Sequence, residues 1–269
     1  MLDNFSNQAA GLLGMANQPG PRMLAVVNHG DDQAELPLLW QLCLALVNFG
    51  YSVTVLDATT QESDSNPGLA QLLDNSHWHD EPVRDTPAWT VLPSGTGLQD
   101  LCAASSQPPA HKLQRLGQLF RTDGVVILYC KAEWVASLLG ECPVEPLLAV
   151  SPLRTSLMTS YVALKRLLIS GKLRPTIVNM VHDSDSYGVA PANAVSLGLS
   201  ECARKFLGHD IKTLNIAVQS AESPQNGDMQ SLALRLLEGA LELRADHAPV
   251  SSVGQSRPLG TAFQHGEMH

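Results

Sequence analysis

The segment His29-Gly30-Asp31-Asp32-Gln33-Ala34-Glu35-Leu36 stands where an α/β chain does phosphate chemistry. It follows a short apolar run and precedes leucines at helical spacing, and the first strand-to-helix loop of such a unit is the usual phosphate cradle. Mononucleotide binding there requires G-x-x-x-x-G-K-[ST]: glycines let backbone N–H groups close on phosphate, the lysine supplies charge and the hydroxyl holds magnesium. In the same register this chain puts His29 and Ala34 at the two glycines, Glu35 at the lysine and Leu36 at the hydroxyl. A unit charge pair at ~4 Å is worth about 4 kcal/mol at an effective dielectric of ~20, so glutamate for lysine turns attraction into comparable repulsion. Asp31 and Asp32 add to that repulsion. Carboxylates near a helix N-terminus are stabilising by roughly 0.3–1 kcal/mol each. Asp31, Asp32 and Glu35 are therefore expected to occupy the anion position themselves, leaving a self-filled loop.

Other clusters carry less chemistry. Ser76-His77-Trp78-His79-Asp80-Glu81 holds two imidazoles and two carboxylates, but H-x-H alternates faces on a strand and no further cluster has metal spacing, so a polar surface loop is expected. His182-Asp183-Ser184-Asp185 reads as a solvated loop after a strand, and no Ser or Cys has a nucleophile elbow beside it. Lys165, Arg166, Lys172 and Arg174 form a basic stretch, read as a solvated face. Met229, Leu232, Leu236 and Leu243 belong to an apolar helical pattern. Its polar face sets Arg235 and Arg244 against Glu238 and Glu242, poorly cationic for an anionic bilayer, so packing on the sheet is expected and membrane contact is expected to be weak at most.

These residues need a frame. Met23–Asn28 reads as a strand covered on both faces, Pro37–Phe49 as a helix stopped by Gly50, and Ser52–Leu56 as the next strand, which makes a βαβ crossover. Further strands are expected at Trp89–Leu92, Val125–Tyr129, Leu147–Val150, Thr176–Met180 and Thr213–Ile216. Helical patterns lie between and after them at Gly68–Leu73, Gln99–Ala104, Lys112–Phe120, Ala132–Leu139, Leu157–Ile169, Ala192–Leu207 and Ser231–Leu243. This alternation predicts one mainly parallel, doubly wound α/β sheet with helices on both faces. Residues 1–21 read as an N-terminal arm, 22–245 as the α/β domain and 246–269 as an unstructured tail rich in Gly, Pro and Ser.

The 269 residues carry a net charge of −9, so nothing global attracts nucleic-acid phosphate or an anionic bilayer. Five scattered cysteines without a C-x-x-C pair, no signal-like N-terminus and no long apolar run predict a cytoplasmic protein.

Ala25-Val26-Val27-Asn28 and Thr54-Val55-Leu56-Asp57-Ala58 resemble the elements that flank the phosphate loop of the MinD/ParA (SIMIBI) class of deviant P-loop ATPases. Those proteins read A-V-x-S-G-K-G-G-V-G-K-T, then V-x-x-L-D-A-D. Within that class the chain is most similar to the FlhG (FleN) regulators of flagellar number. Asn7-Gln8-Ala9-Ala10-Gly11-Leu12-Leu13 resembles the D-Q-A-x-x-L-R element by which FlhG proteins stimulate the GTPase FlhF, with Gln8, Ala9 and Leu12 matching. Val91–Gly97 is similar to the family's L-P-A-G-S-G loop, and the run from Ser151 to Lys165 to T-P-E-P-T-S-L-T-D-A-Y-x-x-x-K. Asn179-Met180-Val181 matches the N-x-V that ends the strand near the adenine.

The departures fall on the chemistry. Gly30 stands at the signature lysine of the ATP-sandwiched dimer, Thr59 at the second Asp of D-A-D, and Leu128 or Tyr129 at the magnesium-side Asp. The resemblance thus implies an FlhG-like pseudo-ATPase that acts by protein contact, with Asp57 and Asn179 as relics. ATP and magnesium, the family's cofactors, are disfavoured, and no metal, nucleic acid or ATP-dependent dimer is expected. The implied partner is an FlhF-like GTPase or another flagellar assembly protein, met through Gln8, Ala9 and Leu12, with Gln8 or a short helix ordering the GTPase's catalytic water. The competing expectations are an active MinD/ParA-type ATPase with an unorthodox loop, and a MinD-like adaptor in another polar or envelope system such as secretion or cellulose synthesis.

Overall fold

The computed structural model describes residues 20–74, 89–103, 108–120, 124–181, 193–218 and 227–243. The arm with Gln8, Ala9 and Leu12, the Ser76–Glu81 and His182–Asp185 clusters, Arg244 and the tail lie outside the described residues.

The chain runs β1 (Arg22–Asn28), α1 (Asp32–Asn48), β2 (Val53–Asp57), α2 (Leu69–Leu73), β3 (Trp89–Pro93), α3 (Gly95–Ala103), α4 (Pro109–Leu119) and β4 (Val125–Lys131). It continues through α5 (Ala132–Leu139), β5 (Leu147–Val150), α6 (Arg154–Ile169), β6 (Thr176–Val181) and α7 (Ala194–Cys202), which a π-helical turn, Ala203–Leu207, prolongs. Strand β7 (Thr213–Ala217), α8 (Gly227–Glu238) and β8 (Leu241–Glu242) complete it. The strands lie in the order β3-β2-β4-β1-β5-β6-β7, all parallel, and β8 pairs antiparallel with β1.

Strand β1 is apolar along most of its length because both faces are covered. Successive side chains point to opposite faces: Met23, Ala25 and Val27 enter one core with α3, α5, α6 and α7, and Leu24 and Val26 enter the other with α1 and α8. The mainly parallel sheet with helices on both faces agrees with the reading from sequence.

Several boundaries differ from that reading by a few residues, α3, α4, α6 and α8 each starting about a turn earlier than expected, and two of the differences bear on the loop and the sheet edge. Helix α1 starts at Asp32, a turn before Pro37, because the Asp31 carbonyl accepts the N–H groups of Ala34 at 3.0 Å and Glu35 at 2.8 Å. Pro37 is therefore internal, and the bond its nitrogen cannot donate falls at the carbonyl of Gln33, an exposed residue. At the other end, the helix expected over Ser231–Leu243 stops at Glu238, and Leu241 and Glu242 turn back to pair with Met23 and Arg22. β1 meets β5 only at Val26 and Leu147, which leaves the start of β1 an open edge for β8 to fill. Among the described residues no helix is long and apolar enough to cross a membrane.

Candidate functional site: a phosphate-type loop closed by its own glutamate

The loop between β1 and α1 sits at the carboxyl edge of the central strands, where ligands of open α/β sheets bind. Gly30 turns the chain there at φ +90°, a left-handed conformation that favours glycine. The turn aims the N–H groups of His29 and Asp31 inward, and both donate to Oε1 of Glu35 at 2.9 Å. The other carboxylate oxygen, Oε2, accepts from Nδ2 of Asn28 at 2.8 Å and from the hydroxyl of Tyr129 at 2.6 Å. Asn28 Nδ2 also donates to the Tyr129 oxygen at 2.9 Å. Glu35 is fully buried at 0% exposure, and its four donors offset the desolvation that an unpaired carboxylate would suffer. Burial, the bond to Glu35 and the Glu35 charge together push the Tyr129 hydroxyl far above the usual phenol range, so it serves as a donor.

The rest of the loop is tied to the next strand. Oδ2 of buried Asp31 accepts the Ser151 N–H at 2.9 Å. The His29 ring reaches the Ala149 carbonyl through Nε2 at 2.7 Å and the Thr159 hydroxyl through Nδ1 at 2.8 Å, with Nε2 3.5 Å from the Glu35 carboxylate. Ala34 is buried in the core, whereas Gly30, Asp32, Gln33 and Leu36 face outward. Of the three acids expected at the anion position, Glu35 takes it. Asp31 braces the loop on β5, and Asp32 is exposed.

A second carboxylate does similar work at the ends of β2 and β3. Glu62 accepts the N–H groups of Gly97 at 2.9 Å, Thr96 at 2.6 Å and Ala70 at 3.2 Å, so it spans the starts of α2 and α3. Burial would raise its carboxyl, but those N–H donors overcome it and hold Glu62 below the usual glutamate value. Gly97 is required because a Cβ there would lie 2.7 Å from the Ala70 nitrogen.

Asp57 and Asn179, expected as relics, are also engaged internally. Asp57 accepts the Thr59 N–H and hydroxyl at 2.9 and 2.6 Å and the Thr60 hydroxyl at 2.7 Å. Asn179, fully buried, donates to the side chains of Asn193 at 3.0 Å and Asn215 at 3.1 Å. The groups that a magnesium nucleotide would use in such a loop are engaged within the chain. The loop N–H groups that a phosphate would take are bonded to Glu35, a carboxylate stands in place of the cation, and Asp57 is bonded to two threonines. Among the described residues no three His, Cys, Asp or Glu side chains gather in a metal-holding group.

Sequence reading missed Asn28, Thr159 and Glu62 as participants, and it noted Tyr129 only as a lost aspartate. The signal for Tyr129 was present: in the β4 register Val125, Ile127 and Tyr129 share the α1 face, so a lone hydroxyl ends an aliphatic row beside the loop.

No protein-family model matches the sequence, and no curated protein matches it. Solved structures match at the level of fold. A chain of the MinC:MinD cell division protein complex of Aquifex aeolicus aligns at 9% identity over 83% of this chain and 98% of its own, with a TM-score of 0.54. Cobyrinic acid a,c-diamide synthase of Mycobacterium smegmatis, solved with ADP and magnesium, aligns at 16% identity over 81% and 94%, also at 0.54. A ParA family ATPase of Chlorobium tepidum aligns at 13% identity over 80% and 98%, at 0.49. Strand order, parallel pairing and the likeness to MinD together give this chain the fold of the MinD/ParA-type P-loop ATPases.

Proposed function

We propose that this chain is a pseudo-ATPase: a MinD/ParA-type scaffold that has given up nucleotide and acts through protein contacts. One observation carries the reading, the burial of the Glu35 carboxylate on the His29 and Asp31 N–H groups inside the phosphate loop. For a triphosphate to enter, this carboxylate must leave four donors, and no lysine of the loop replaces the lost favourable charge. A deficit of a few kcal/mol is several powers of ten in affinity.

Within that class the reading is FlhG-like, a regulator of flagellar assembly or number. It is supported by the match of Gln8, Ala9 and Leu12 to the element that stimulates FlhF, and by the Val91–Gly97 and Ser151–Lys165 runs. The partner is then an FlhF-like GTPase or another flagellar assembly protein, and the place of action is the cytoplasm.

Calorimetry with Mg-ATP at up to millimolar concentration tests the first part. No heat beyond dilution is expected, and micromolar binding refutes it. Timing GTP hydrolysis by an FlhF-like partner with wild-type protein and with Gln8→Ala tests the second. Stimulation by the wild type that the variant loses is expected, and equal rates count against the arm.

A further inference from the structure

The two helical layers differ in charge. On α6 the residues Met158, Val162 and Ile169 form one exposed stripe, at 72%, 61% and 59% exposure, with Lys165 at the intervening turn. The neighbouring α7 and its π-helical turn expose Leu197 and Phe206. Along α6, α7 and that turn there are five cations, Arg154, Lys165, Arg166, Arg204 and Lys205, against one carboxylate, Glu201. Arg166 reaches Glu133 of α5 at 3.1 Å, where both side chains are about half-exposed. This is a cationic, apolar face on a chain of net charge −9.

The opposite layer has the complementary character. Helix α1 carries no lysine or arginine and exposes Leu36, Trp40 and Asp32. Beside it, α8 exposes Leu234, Asp228 and Glu238, and its one cation, Arg235, is held by Glu145 at 3.3 Å. Alternation along the strands fixes these layers on opposite faces of the sheet, α6 and α7 over one core and α1 and α8 over the other.

We propose that the cationic, apolar α6/α7 face of one copy docks on the acidic, apolar α1/α8 face of the next. The contact is heterologous, and because the two patches lie on opposite sides of the molecule it repeats as an open head-to-tail stack rather than closing as a twofold dimer. Charge complementarity selects the occupant, since the acidic apolar face that this patch requires is present on the same chain. A bilayer is the competing occupant, and the chain's net charge of −9 opposes its approach to an anionic surface.

Sedimentation velocity on the full chain at rising concentration and at two ionic strengths tests it. At low salt the weight-average mass is expected to rise with concentration, and salt that shortens the Debye length from about 10 to about 3 Å should weaken association by ~10-fold or more. Arg154→Glu/Lys165→Glu leaves three cations against three carboxylates on the α6/α7 face, and Ser231→Lys/Glu238→Lys cancels the exposed acids of the α1/α8 face; each variant keeps the other face intact. Each variant alone should remain monomeric, and an equimolar mixture should associate again. Val162→Ser, which alters no charge, should also weaken the contact. A monomer at every concentration, association that ignores salt, or a mixture that fails to recover overturns the proposal. Wild-type binding to phosphatidylserine vesicles that Arg154→Glu/Lys165→Glu abolishes assigns the face to membrane and overturns it as well.

Discussion

Truncating Glu35 to alanine tests whether the loop is closed by its own carboxylate. Four donors lose their acceptor: the His29 and Asp31 N–H groups, the Asn28 amide and the Tyr129 hydroxyl. Hydrogen bonds to a charged acceptor contribute about 1.5–3 kcal/mol each, which sets a ceiling of roughly 6–12 kcal/mol. Two effects reduce it: the buried charge no longer has to be desolvated, and water entering the space left by the side chain satisfies two or three donors. The expected net loss is about 1–6 kcal/mol, from the one or two neutral buried donors that water does not reach, at about 1–3 kcal/mol each. Glu35→Gln keeps the shape and lets Oε1 accept both N–H groups, but it turns a donor toward Asn28, at a cost of about 1–3 kcal/mol. Urea unfolding at neutral pH measures both, and Glu35→Ala within about 0.5 kcal/mol of wild type refutes the closure. A second readout separates an emptied cradle from general damage. Inorganic phosphate at ten times its dissociation constant would restore about 1.4 kcal/mol to Glu35→Ala and none to wild type.

Two further outcomes follow from the titrating groups. Glu62 is held below its ordinary value in the folded state, so it stabilises the protein above the unfolded-state value and that contribution disappears as pH falls through the folded one. Glu62→Gln should therefore be less stable by about 0.5–2 kcal/mol at pH 7, with the two unfolding curves converging below the glutamate range, and a gap that persists or widens in acid contradicts the assignment. Cys43 is buried, and burial pushes its thiol up to about 12. It should resist dithionitrobenzoate at pH 8 until urea unfolds the chain, and modification at a constant rate below the unfolding midpoint contradicts that burial.

Periodicity made the fold legible where it was strong. β5 and α5 have the bounds that spacing assigns, and the parallel order follows from alternating strands and helices. The start of α1 was hidden because Pro37 is a stronger local signal than the carbonyl of Asp31, which no side-chain pattern announces. β8 was hidden because Leu241 and Leu243 continue a helical spacing, and their true place is set by an edge of β1 that exists only once the sheet has formed. At the site the acidic loop was readable as chemistry, but the assignment among its three acids was not. That depended on the turn at Gly30 aiming two N–H groups at Glu35, and on Tyr129 arriving from a strand about a hundred residues away along the chain.

Glu35 and Glu62 together argue against simple decay of a nucleotide site. A loop that merely lost its lysine would keep inward N–H groups with nothing but water to accept them, an arrangement that costs each buried donor about 1–3 kcal/mol and loosens the turn. Here two carboxylates, Glu35 in the first turn of α1 and Glu62 in the segment after β2, each accept backbone N–H groups at a helix start where the charge of a bound anion would otherwise be favoured. Both turns are thus held in shape from inside. A ligand shifts a conformational equilibrium only by its differential affinity for the two states. On the proposed reading triphosphate has no state to prefer, so the scaffold is constant and whatever controls this protein must act on its outer faces.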